Sequence, residues 1–326
     1  MRENGQNTIE ELKQDFSCSR CIMSRLYKIV IVALIILSFI SFKSYAENKN
    51  KEYIFNLKRD LLVLFLSYPD SIQGMEKDEK GDIYLNINNN KILYDDSKSK
   101  TREGRFYDTD LQDTLIDVYP LEKNNSIIKD NDPGRARCYS FLKAMYGGTR
   151  QEIEKKLIYV PTYYGSIMFT KVNGASDRLR NALNLVGKLV ESNNNIGAFV
   201  TPLSGTYNYR TIQDTGQLSP HAFGIAIDLV RNDADYWKWG KPELANKRIV
   251  AYPKELVEAF EEQGFVWGGK WAHYDILHFE YRPEIILKAK YFNNQDVDQC
   301  KHWYDGAEKS DSIIKIIEKI DDVIDN

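Results

Sequence analysis

The sequence predicts an α+β protein: an antiparallel sheet with flanking helices, joined to an N-terminal α+β region. Three patterns carry this expectation. Leu179, Ala182, Leu183, Val186 and Val190 recur at helical spacing within 176–191. Leu277 to Arg282 alternates as a strand, with His278, Glu280 and Arg282 on one face and Phe279 and Tyr281 on the other. Ile83, Leu85 and Ile87 alternate, three asparagines turn the chain, and Ile92 and Tyr94 return as a hairpin.

The remaining elements follow in order. Residues 52–67 read as a helix, closed by Tyr68-Pro69-Asp70. Residues 97–104 and 124–134 are polar and read as loops. Ser140 to Tyr146 is a short helix ended by Gly147-Gly148, and Thr149-Arg150-Gln151-Glu152 has the form of a capping box that starts a helix through Leu157. Ile196 to Leu203 reads as a strand. Pro253 to Gln263 reads as a helix with Gly264 just past its end. Residues 310–324 place Ile313, Ile317, Ile320 and Ile324 on one stripe, a final amphipathic helix that packs on the body.

The chain has 326 residues, 43 % hydrophobic and 28 % charged, with a net charge of −3. That composition supports a substantial core. It gives no sign of a nucleic-acid partner. Ile29 to Phe42 is an apolar run preceded by Arg25 and Lys28 and followed by Ser44-Tyr45-Ala46. This is the layout of a secretory signal peptide, and the run is short for a membrane span, which needs about 20 residues. Residues 1–46 are therefore expected to be a signal peptide, with Met23 as a possible true start. Contact with a membrane is then transient, and the mature protein is periplasmic or extracellular. Cys18 and Cys21 form a pair that nothing completes into a zinc site. Cys138 and Cys300 remain in the mature chain, as a disulfide or as two separate thiols; the expectation put to test is that they pair. A boundary near Pro161 divides residues 47–160, of no assigned role, from a catalytic domain at 161–292 and a tail at 293–326.

The chemistry is concentrated in two motifs. Ser219-Pro220-His221-Ala222-Phe223-Gly224-Ile225-Ala226-Ile227-Asp228 is followed about fifty residues later by Asp275-Ile276-Leu277-His278-Phe279-Glu280. His221, Asp228 and His278 offer two imidazoles and a carboxylate, a donor set that suits zinc with one position left open for water. His221 and Asp228 would face opposite sides of an ideal strand, so Gly224 is expected to mark a bend. Asp275, three residues before His278, is a base within reach of the open position.

These motifs closely resemble those of the zinc D-alanyl-D-alanine carboxypeptidases, dipeptidases and L-alanyl-D-glutamate endopeptidases, which share a fold with the hedgehog signalling domain. The resemblance covers roughly residues 165–292. It implies a zinc peptidase whose partner is the peptidoglycan stem peptide. His221, Asp228 and His278 match the zinc ligands, and Asp275 matches the catalytic acid/base. Many carboxypeptidase members carry glutamate there. Aspartate, with Gly268-Gly269-Lys270-Trp271 just upstream, looks more like the endopeptidase branch, so endopeptidase cleavage is slightly favoured and carboxypeptidase cleavage is the alternative.

Members of the group also carry an arginine upstream of the first ligand. Arg210 matches it, and a guanidinium there suits a developing oxyanion. Ser219 is expected to hydrogen-bond within the site, and His273 and Trp271 to line the substrate pocket. Glu280 either orients a ligand imidazole or pairs with Arg282. Asp132-Pro133-Gly134-Arg135-Ala136-Arg137 looks like a segment that accompanies this domain in some secreted members. Its residues read as a solvated turn with a local basic cluster, near enough to the substrate's acidic groups only as a lesser alternative. A reading of another class is a non-catalytic, zinc-containing cell-wall-binding module, against which Asp275 argues.

Overall fold

A computed structural model describes residues 48–293 and 297–326 of the chain. The expected signal peptide, residues 1–46, and the Cys18–Cys21 pair within it lie outside the described residues. The chain divides into two units, residues 1–55 and 56–326. Within the first, residues 48–55 are helical. All further description concerns the second.

Helix α1 (56–67) carries Leu57, Leu61 and Leu64 into the core. A three-stranded antiparallel sheet follows: β1 (Ile72–Lys77), β2 (Ile83–Ile87) and β3 (Asn90–Leu93), with β2 and β3 forming the expected hairpin. Short helices α2 (Arg102–Arg105) and α3 (Leu111–Leu115) come next, then α4 (Tyr139–Tyr146) and α5 (Arg150–Glu154). Helix α2 falls at the end of a stretch read as loop, nucleated by Thr101, whose side chain accepts from Gly104 N–H. The Thr149–Glu152 capping box is present at α5. The helix it starts stops at Glu154, three residues short of expectation, because Leu157 already opens a strand.

Strand β4 (Leu157–Thr162) pairs with β5 (Gly165–Thr170) through a two-residue turn. Pro161 therefore sits inside a hairpin. Helix α6 (Ala175–Ser192) buries Leu179, Ala182, Leu183 and Val186, the stripe read from the sequence. Residues 196–203 do not form a strand. Asn194–Phe199 is a 3₁₀ turn in which the Asn193 side chain caps Asn195 N–H at 3.2 Å. Ile196 and Val200 are buried while Ala198 between them is exposed, which a turn allows and one face of an alternating strand does not.

The last sheet holds the site. Strand β6 (Ala226–Asp228) is followed by α7 (Pro242–Ala251) and α8 (Lys254–Glu261), then by β7 (Phe265–Trp267) and β8 (His278–Tyr281). The sheet order is β6-β8-β7, all antiparallel, with Asp228 directly opposite His278. One face is aromatic: Phe279 stacks on Phe260 at 4.2 Å between ring centroids, and Tyr252 lies 4.7 Å from Trp267. That burial fixes the register, since a one-residue slip would turn Asp228, His278 and Glu280 into the core.

Helix α9 (Pro283–Phe292) and helix α10 (Asp311–Ile324) close the chain. α10 buries the predicted isoleucines, and Lys58 on α1 grips Asp321 and Asp325 at 2.7 Å each. Cys138 and Cys300 are not joined to each other, which overturns the expected disulfide. Cys138 is buried at the start of α4 against the Ser140 hydroxyl, and the Cys300 sulfur accepts from Arg59.

Candidate metal centre

His221 sits on a 3₁₀ turn, Pro220–Phe223, which Ser219 caps by accepting from His221 N–H at 3.3 Å. Gly224 ends that turn at φ +68°, in the left-handed region, and the chain then enters β6. This is the expected bend. A Cβ at Gly224 would lie 2.4 Å from Leu157 Cδ2, and the Gly224 carbonyl accepts from Thr170 N–H at 3.0 Å. The β4–β5 hairpin thus supports the turn from beneath.

The bend brings three donor atoms together. His221 Nε2 lies 3.2 Å from Asp228 Oδ1 and 3.3 Å from His278 Nδ1, and that nitrogen lies 2.9 Å from Asp228 Oδ1. Tetrahedral ligands at metal–donor distances of about 2.0–2.1 Å stand about 3.3 Å apart. The spacing fits one ion. The tautomers fit too. His221 Nδ1 lies 2.6 Å from the Thr206 carbonyl and donates to it, which leaves the Nε2 lone pair for the centre. His278 Nε2 faces Glu280 Oε2 at 3.5 Å, on the far side of the ring from its donor nitrogen.

The electrostatics favour a cation at this spot. Burial disfavours charge on His278, but hydrogen bonds to Asp228 and Glu280 outweigh it and push the imidazolium up to about 10. Burial likewise raises Asp228, and its bonds to His221 and His278 more than offset this, holding the carboxyl well below the usual range. A site that so favours positive charge between two carboxylates suits a metal ion in the proton's place.

Glu280 is fully buried and does both things the sequence allowed. It faces His278, and it pairs with Arg282 at 3.3 Å. Its strongest partner was not foreseen. Arg137 grips it through Nε at 2.9 Å and Nη2 at 2.6 Å. The 132–137 segment is no solvated turn: it forms the wall behind the centre. Asp132 accepts from His273 N–H at 2.9 Å and faces His273 Nδ1 at 2.9 Å. The Pro133 carbonyl accepts from the Trp271 indole at 2.9 Å, and the Gly134 carbonyl from Arg282 at 2.6 Å.

A cavity of about 510 Å³ opens over the donor atoms. Asp275 lines it together with Ser219, Trp271, His273 and Arg210. The Asp275 carboxylate makes no side-chain hydrogen bond among the described residues, and burial pushes its pKa up to about 6 against the nearby imidazoles. Gly268 holds the loop that carries it: a Cβ there would lie 2.4 Å from the Asp275 carbonyl oxygen. Arg210 is exposed at the rim, brought opposite Ser219 when Ser219 N–H donates to its carbonyl at 2.9 Å. Trp271 is buried, 5.7 Å from the His278 ring, a wall more than a contact surface.

Two imidazoles and a carboxylate in a concave site beside an unpartnered acid define a metallopeptidase centre. The particular family follows from comparison with known proteins: residues 213–281 match the model of the peptidase family described as D-alanyl-D-alanine carboxypeptidase, and the chain carries a domain of that family. The matched residues include His221, Asp228, Asp275 and His278 and exclude Arg210 and the 132–137 wall. No curated protein and no solved structure matches the chain.

Proposed function

We propose that this chain is an exported zinc peptidase that hydrolyses peptidoglycan stem peptides. The observation that carries it is the donor set of His221, Asp228 and His278 sharing one cavity with Asp275. The two nitrogens and one carboxylate oxygen suit zinc, which when bound supplies a Lewis acid and lowers the pKa of a coordinated water to about 7.

Asp275 takes the proton of the attacking water and returns it to the leaving amine. Burial, which raises its pKa above the ordinary carboxylate value, suits it to both directions of that transfer. Arg210 reaches from the rim toward the developing oxyanion. Ser219 fixes the His221 turn, and Glu280 holds the His278 ring so that Nδ1 faces the centre. His273 and Trp271 shape the wall against which the peptide lies.

Endopeptidase cleavage is the favoured mode, supported by aspartate at 275 and the Gly268-Gly269-Lys270-Trp271 sequence before it. Mass spectrometry of purified muropeptides after incubation with the zinc-loaded chain tests this. Release of the stem beyond its first alanine supports endopeptidase action, and loss of one terminal alanine assigns carboxypeptidase action. Unchanged masses, with the peptide bound, would make the chain a binding module. Export rests on residues 25–46. Among the described residues no helix is long and apolar enough to cross a membrane. Protein from the cell envelope is expected to begin at Glu47 on N-terminal sequencing.

A further inference from the structure

Arg135 lines the cavity that contains the metal donors and Asp275. Its backbone is pinned at both ends: Arg135 N–H donates to the Asp132 carbonyl at 3.0 Å, and its own carbonyl accepts from Arg137 Nη1 at 3.0 Å. Its guanidinium lies over the Phe106 ring at 4.9 Å and near the Trp237 ring at 5.8 Å. Both rings meet His273 edge-on, at 5.5 and 4.6 Å, and Asp132 holds that histidine in place. The side chain is thus confined by two aromatic rings, which His273 buttresses, and has little freedom left to lose on binding.

Among the described residues this guanidinium forms no ion pair and no side-chain hydrogen bond. The other cations of the cavity differ from it. Arg137 is committed to Glu280, Lys238 is paired with Asp214, and Arg210 and Arg231 stand exposed at the rim. Arg135 alone is recessed, rigid and unpaired. Burial, and then the neighbouring charge of Arg137, hold its pKa below the ordinary arginine value, so a facing anion would stabilise it. Asp132 and Asp275 act on it only from beyond ion-pair distance, and a recessed cation without a direct ion pair is costly; its planar fork matches a carboxylate.

We propose that Arg135 is the carboxylate receptor of the substrate groove, binding a free carboxylate carried by the peptide beside the bond that is cut. The inference rests on the peptidase reading above and narrows its substrate class to peptides with such a carboxylate. The group has two possible sources, a C-terminal carboxylate or an acidic side chain, and paired probes separate them. One pair is N-acetyl-L-Lys-D-Ala-D-Ala and its C-terminal amide. The other is the C-terminal amide of N-acetyl-L-Ala-D-Glu and that of N-acetyl-L-Ala-D-Gln, which differ only in the side-chain carboxylate.

Affinity is measured calorimetrically on the metal-free full chain, and hydrolysis on the zinc-loaded chain. Wild type is expected to prefer the charged member of one pair by about 10- to 100-fold, the range of a hydrogen bond to a charged group. R135Q should reduce that preference to within about threefold, and R135K, which keeps the charge without the fork, should retain part of it. Zinc content and melting temperature are recorded alongside, and the wild-type comparison stands even where R135Q folds poorly. Wild type that hydrolyses charged and neutral probes equally overturns the receptor and leaves the peptidase reading intact. R135Q that keeps the full preference also overturns it and moves the role to Arg210 or Arg231. Arg135-dependent binding without hydrolysis keeps the receptor and removes the peptidase reading. Neither binding nor hydrolysis removes both.

Discussion

Arg137 and Glu280 stand 143 residues apart in sequence and meet as a bidentate pair in the interior, directly behind His278. The residue that faces a metal-donor imidazole is thereby fixed by a segment outside the recognisable catalytic motifs. Arg282 joins the same cluster and continues it to Glu284 at 2.6 Å.

Glu280→Gln is expected to destabilise the protein by about 3–5 kcal/mol at pH 7, because it leaves buried guanidinium groups short of a counter-charge. Burial raises the Glu280 carboxyl, but the charge of Arg137 first, and then its hydrogen bonds and Arg282, hold it far below the usual carboxylate value. Its contribution is therefore fully present above the unfolded-state pKa of about 4.3 and is lost as pH falls toward the folded-state value. Urea unfolding of wild type and variant from pH 7 to pH 3 should show the gap narrowing on acidification. A gap constant with pH would place the cost in packing instead.

His278→Ala should lose its metal on dialysis, as should the corresponding changes at His221 and Asp228. Each ligand bond accounts for a large share of the binding free energy. Elemental analysis reads this directly, and a full equivalent of zinc retained by His278→Ala would refute the ligand set.

Asp275→Ala is expected to keep zinc and fold while hydrolysis of stem peptides falls by about 10²- to 10⁴-fold, the usual contribution of a general acid/base. Metal content and turnover should be measured on one sample. Joint loss of both would make Asp275 a ligand. Unchanged turnover would shift the base to another group in the cavity, with His273 the first to test.

Gly224→Ala places a methyl group in the left-handed region, at about 1–2 kcal/mol, and into Leu157, where overpacking adds about 1–3 kcal/mol. Denaturant unfolding should show both terms, and in the double variant with Leu157→Ala the second should shrink. Strict additivity of the two changes would mean that the hairpin does not support the turn.

The parts of the site that were legible in the sequence are those with local spacing. His221 and Asp228 declare themselves across one glycine bend, and Asp275 and His278 across one short turn. The α10 isoleucines were legible for the same reason, since one helical period shows which face is buried. The wall was not. Nothing in Asp132-Pro133-Gly134-Arg135-Ala136-Arg137 announces that Glu280, Trp271 and His273 will meet it, because those contacts span more than a hundred residues. The β4–β5 hairpin that spans Pro161 was not legible for a related reason. β4 fully buries only Val160, so it lacks the strong alternation that marks a half-buried strand. The 194–199 turn was misread because its apolar residues are consistent with either form until packing chooses between them.

The pairing of Arg137 with Glu280 also has a bearing on synthesis. A chain that has emerged only as far as its first two hundred residues already contains Arg137 and lacks the carboxylate that neutralises it. The first imidazole likewise precedes the second by 57 residues. No truncated product ending before β8 can assemble the donor set or neutralise the wall. Assembly of the donor set is thus tied to synthesis past β8, and a fragment cut short before that point, during translation or by proteolysis, carries no complete centre into the cell that makes it.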